Sequence, residues 1–183
     1  MNVKEQPKRA ETIKRGVLIC ILALTELAIQ VLGSVYYSQT PAFVWTFSNG
    51  ILFMVPLMFG MVPGLLFLLP VAISELMSYG QLHVWGPLLH LAAFVMTVVA
   101  LGLAGERIRQ MPRVQRTLLS VGLFAVALVG EEALYHGLRL LVMQKPFVWE
   151  KVLKAALSPA VLPLAALLAY DCMGDEQSEH PDD

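Results

Sequence analysis

Residues 51–70, "ILFMVPLMFGMVPGLLFLLP", carry no charge at any position. About 20 apolar residues in a row match the thickness of a bilayer core, and a soluble domain has no need of such a run. How the run is divided decides the fold. As part of one unbroken helix from 42 to 79 it would be about 57 Å long, nearly twice the bilayer core. The sequence offers a way out at "FGMVPG" (59–64), where Gly60, Pro63 and Gly64 permit a tight turn near a membrane surface. The reading is therefore two helices, about 42–60 and 62–79.

The rest of the chain agrees with a membrane setting. Of 183 residues, 57% are hydrophobic and only 15% charged, with a mean hydropathy of +0.65. Soluble domains have about 25% charge. Further apolar segments run over about 16–37, 84–105, 117–143 and 152–172. Short connections make successive helices antiparallel neighbours. The expected architecture is all-α: an integral membrane six-helix bundle over 16–172. A basic cytoplasmic tail (1–15) precedes it and an acidic, disordered cytoplasmic tail (173–183) follows. The mixed first segment lacks a signal-peptide pattern. Cys20 and Cys172 form no CxxC pattern and read as small buried apolar residues.

Orientation follows from lysine and arginine. Lys4, Lys8, Arg9, Lys14 and Arg15 precede the first segment. Arg107, Arg109, Arg113 and Arg116 form a basic loop between the fourth and fifth. Six spans put both on the same side, the cytoplasm. Tyr36, Tyr37, Trp45, Trp85, Phe147 and Trp149 stand where interface anchors are expected. Lys145 and Lys151 depart from the charge rule.

Ionisable and amide side chains inside apolar segments are candidate functional groups. These are Glu26 and Gln30 in the first segment, Glu75 in the third, His90 in the fourth, and Glu131, Glu132, His136 and Arg139 in the fifth. Glu26 and Gln30 share a helical face, as do His83 and His90. Glu132, His136 and Arg139 also share a face, with Glu131 about a quarter-turn away. That pattern reads as a polar contact, either closed within the bundle or met by a partner's transmembrane helix. Replacing Glu132 should then cost more than replacing Glu131.

Catalytic readings find few partners. Glu131, Glu132, Tyr135 and Gly137 resemble the E-E-x-x-x-R motif of CAAX-type intramembrane proteases. His136 replaces the arginine, however, and the only later histidine is His180, in the hydrophilic tail. Haem ligation would need His90 and His136 to face each other. The chain has no P-loop, no G-x-S-x-G and no basic–aromatic platform for nucleic acid. The expectation is a non-enzyme without cofactor or metal.

Several stretches together resemble the MreD family, six-span subunits of the bacterial cell-shape and peptidoglycan-elongation machinery. They are "LAIQVLGS" (27–34), "FGMVPGLLFLLPVAISELMSYGQL" (59–82), "GPLLHLAAFVMTVVALGLAGERIRQ" (86–110) and "VLKAALSPAVLPLAALLAY" (152–170). Glu75 stands where that family has aspartate. The resemblance implies a scaffold that binds a single-pass partner, MreC, near wall-synthesis enzymes, with an actin-like filament protein on the basic inner face. The chain is also similar to the substrate-binding S-components of energy-coupling-factor transporters. They share six helices, this length, the Gly-rich link and small residues such as Ala23 and Ala28. That resemblance implies a vitamin-sized pocket open to the outside.

Overall fold

A computed structural model describes residues 5–36, 42–79, 85–158 and 161–174. All the regular structure among them is helical. The elements are α1 (Glu5–Val35), α2 (Ala42–Phe59), α3 (Met61–Tyr79), α4 (Trp85–Ile108), α5 (Arg113–Met143), α6 (Trp149–Ala156) and α7 (Val161–Gly174).

The division of the apolar run is settled by one residue. Gly60 adopts φ +100°, a conformation that side-chain-bearing residues rarely take, and the helix direction breaks there. Pro63 falls in the first turn of α3, where a backbone N–H has no intrahelical acceptor and its loss costs nothing. The two helices then pack closely. A Cβ placed on Gly64 would stand 2.9 Å from Cβ of Pro56 and 3.0 Å from Cγ1 of Val98, so glycine lets α2, α3 and α4 approach one another.

Side-chain contacts fix the directions. Gly33 near the end of α1 faces Trp45 near the start of α2. Gly60 faces the Arg109 guanidinium beyond α4. Glu75 late in α3 meets His90 early in α4, and His90 also meets Glu131 in α5. Arg116 early in α5 donates to the Cys172 carbonyl in α7 at 2.6 Å. The chain thus runs up and down. Gly60 and the α4–α5 link lie at one end, here called basal, and Glu75 and His90 lie toward the other, apical end.

α2 is the axis of the molecule. Ile51, Leu52, Phe53, Met54 and Val55 are all wholly buried, five in a row, and so cover every face of that helix. An all-round apolar helix is stable only when surrounded. Here α1, α3, α4, α5 and α7 surround it. The outer helices show the converse. Leu66, Leu69 and Ile73 of α3, Leu103 of α4, and Val114 and Leu118 of α5 all point outward. Such a surface is stable against lipid chains.

Three helices are long and apolar enough to cross a membrane: Thr12–Gly33 within α1, α4, and α5. This is a multi-pass membrane protein. The expected sixth segment is not one helix. It is broken into α6 and α7, bent by 50°, and the pair together makes a fourth candidate span. Ser158-Pro159 lies at the break, and the residue before a proline is pushed out of helical conformation. α2 and α3 are shorter apolar helices, so among the described residues three to four helices have the length of a span, where six apolar segments were expected. α1 starts at Glu5, so the basic segment is partly helical. Cys172 is buried as expected, whereas Cys20 is exposed on the outer face of α1.

Candidate functional site

The polar side chains within the bundle fall into two sets, both at helix crossings. The first joins α1 to α2. Ser48 donates to Glu26 Oε1 at 2.6 Å, and Gln30 Nε2 lies 2.9 Å from both Glu26 Oε1 and Ser48 Oγ. Glu26 and Gln30 are one turn apart, so both reach the same point on α2. All three are buried, and Glu26 Oε2 has no hydrogen-bond partner. Ser48 was missed in the sequence because a lone serine in an apolar run carries no charge. Its value comes only from the helix opposite.

The second set joins α3, α4 and α5. His90 Nδ1 lies 2.8 Å from Glu75 Oε1, and His90 Nε2 lies 3.3 Å from Glu131 Oε1. Glu131, not Glu132, points into the bundle. The reason is the inward stripe of α5, Ser120, Phe124, Ala127 and Leu128, all buried. Glu131 follows Phe124 by seven residues and Ala127 by four, so it continues that stripe. The apolar periodicity held this signal. The i, i+4, i+7 spacing of Glu132, His136 and Arg139 drew attention to a different face.

That other face is not one mutual contact. Glu132 is partly exposed, and its carboxylate stands 3.7 Å from His136 Nε2, too far for a hydrogen bond. Arg139 instead lies over the Tyr135 ring, with its guanidinium carbon 5.4 Å from the centroid. This is a cation–π arrangement. His136 is wholly buried, and neither ring nitrogen has a hydrogen-bond partner. What buries it is the chain after α5. Gln144 takes the left-handed conformation (φ 54°) and its N–H returns to the Arg139 carbonyl. The chain then reverses, bringing the Phe147 ring to 5.7 Å from His136, with Trp149 stacked behind at 4.5 Å. The sequence could place Phe147 and Trp149 at an interface but not on top of a histidine.

The alternatives weighed in the sequence can be placed on this geometry. The His90 and His136 rings both pack against Tyr135, with centroids 4.5 and 5.3 Å from it. Among the described residues no group of three or more His, Cys, Asp or Glu side chains is placed to hold a metal ion. His83 and His180 lie outside the described residues.

The basic residues also separate. Arg107 ends α4, while Arg113 and Arg116 belong to the start of α5, so only Arg109 sits in the link. Arg109 covers the α2–α3 joint at Gly60. Arg116 satisfies a carbonyl in the last turn of α7, where helix carbonyls lack intrahelical partners and a cation is favoured by the dipole.

An open concavity on α1 has a different character. It is a groove of about 510 Å³ along α1, lined by Leu24, Thr25, Ala28, Ile29, Leu32, Gly33 and Tyr36, and by Val44 of α2. Its lining is almost wholly apolar, and the small side chain of exposed Ala28 leaves the α1 surface shallow there.

No protein-family model, curated protein or solved structure matches this chain.

Proposed function

We infer that the protein is a non-catalytic scaffold subunit of a bacterial inner-membrane complex, binding the transmembrane helix of a single-pass partner. The cell-shape and peptidoglycan-elongation assembly is the complex that the MreD resemblance implies, with an MreC-like protein as partner. On this reading the chain crosses the membrane six times, α2 and α3 being the two short central crossings. Both termini and the basic α4–α5 region face the cytoplasm, beside anionic lipid and an actin-like filament protein.

The observation that carries the reading is the placing of polar and apolar groups. Glu26, Gln30, Ser48, Glu75, His90 and Glu131 join helices to one another. The open groove, by contrast, is apolar, with Ala28 and Gly33 among larger aliphatic side chains. Membrane helices associate through close packing against small residues, because lipid offers no hydrophobic driving force between them. A polar ligand such as a vitamin would need convergent polar groups in its pocket.

The test is extraction from the native membrane in mild detergent, for wild type and for Ala28→Phe, which fills the groove without entering the core. Wild type should co-purify with a single-pass coiled-coil protein, and Ala28→Phe should lose most of it at unchanged thermal stability. Recovery of an ATPase pair with a coupling subunit, or of a bound vitamin, would replace this reading with the S-component one.

A further inference from the structure

Three ionisable groups from three helices meet near the apical end, and their hydrogen count has consequences. His90 of α4 directs Nδ1 at Glu75 Oε1 of α3 (2.8 Å) and Nε2 at Glu131 Oε1 of α5 (3.3 Å). The second approach is an ion-pair distance rather than a formed hydrogen bond. The Glu131 side chain is completely buried, yet both its oxygens have no hydrogen-bond partner. Buried polar atoms are nearly always satisfied, so open acceptor positions here are unspent capacity.

A nitrogen and a carboxylate oxygen attract each other only with a hydrogen between them, so the two approaches need two hydrogens. Both can sit on His90, giving an imidazolium between two carboxylates. Alternatively one can sit on Glu75, giving a neutral imidazole beside a carboxylic acid. The two forms differ by one transfer across the 2.8 Å contact, and each has a charge of −1. A third proton, on an open Glu131 oxygen, makes the array neutral and keeps both approaches. Removing one of the two makes the charge −2 and sets a lone pair against an oxygen. The proton count therefore belongs to the array, not to any one residue.

We propose that Glu75, His90 and Glu131 form a proton-binding site whose occupancy holds α3, α4 and α5 together and which exchanges with the apical side only. The basal side is closed: Phe94, Val98, Leu68 and Phe124 are all buried apolar residues of the neighbouring turns. The Glu75 and His90 side chains are 18% and 21% exposed, and they stand toward the apical ends of α3 and α4. The site is thus a terminal one rather than part of a path across the bundle. Other ionisable groups bear on it. Glu132, Tyr135 and His136 of α5 surround His90, Arg139 lies over Tyr135, and Lys151 of α6 acts on Glu132 and His136. α2, packed against α4, carries no titratable side chain.

The experiment uses the full chain in lipid nanodiscs with nitrogen-labelled histidine. Nitrogen NMR follows the His90 ring from mildly acidic to alkaline pH, alongside the thermal midpoint, for wild type, Glu75→Gln, Glu131→Gln, Glu132→Gln and His90→Gln. In wild type the His90 signals should convert from imidazolium to imidazole as the pH rises. The midpoint should fall by roughly 4 °C over the same interval. Glu75→Gln and Glu131→Gln should move the conversion to a different pH, Glu132→Gln should move it much less, and His90→Gln should flatten the midpoint profile. His90 signals that stay constant while the protein remains folded would overturn the proposal. So would a Glu132→Gln shift as large as that of Glu75→Gln, which would put the exchangeable proton on the Glu132–His136 face.

Discussion

Gly102 shows how much a single hydrogen atom in place of a methyl group can decide. A Cβ there would stand 2.9 Å from the Met61 backbone Cα, just past the α2–α3 joint, and a backbone atom cannot rotate away. Gly102→Ala should therefore destabilise the bundle by about 1–3 kcal/mol. Gly122, whose Cβ would meet nothing within 4 Å, should accept alanine at no cost. Denaturant titration of the two variants in mixed micelles compares them directly. Glu131 and Glu132 form a second contrast, and the structure inverts the order that the sequence suggests. Glu131 fills buried space against His90, whereas Glu132 is partly exposed and 3.7 Å from its nearest basic nitrogen. Glu131→Ala should cost about 1–3 kcal/mol, through a cavity and a lost ion pair, and Glu132→Ala less than about 1 kcal/mol. Equal costs in the same titration would mean that the buried pair contributes nothing.

At the scale of elements, α2 differs from every other helix in having no outward face. Its middle is closed on all sides, and the Phe53 ring lies 5.9 Å from that of Phe94 on α4. Phe53→Ala should cost about 3–5 kcal/mol, because the ring is wholly buried in a helix packed on all sides and the site cannot fully collapse. Leu69→Ala, on the 59% exposed side of α3, should cost little, since lipid chains fill the gap. Thermal aggregation of tagged variants in detergent separates the two outcomes. α6 is built on another plan. Val152 and Ala155 turn inward, while Trp149, Leu153 and Leu157 form an exposed stripe one turn apart. Glu150 and Lys154 pair at 2.6 Å on the remaining side. An element with inward, apolar and charged faces in so few residues suits the edge of a membrane rather than its middle.

For the whole molecule, the up-and-down path fixes which links share a side. The α4–α5 link and the turn after α5 are separated by the full length of α5, about 46 Å. Cysteines introduced at Gln110 and Gln144 should therefore react with impermeant reagents from opposite sides of sealed vesicles, in a background with Cys20 and Cys172 replaced. Labelling of both from one side would mean that α5 does not cross. Gln81, between α3 and α4 in the sequence, lies outside the described residues.

By itself the sequence determined the solvent of this protein and the division of its longest apolar run. Uncharged runs of bilayer length leave no other stable setting, and glycine and proline at 60–64 can divide a run only one way. It also placed Glu26, Gln30, Glu75 and His90 inside helices. Several things depended on atoms far apart in the chain. The choice of Glu131 over Glu132, the hidden use of Ser48, and the burial of His136 under Phe147 are set by which helix stands opposite, and residue spacing along one helix does not contain that. The break of the last segment into α6 and α7 belongs to the same class. An apolar run with a proline can kink or separate, and here Val152 and Ala155 of α6 are buried while α7 continues at a 50° bend.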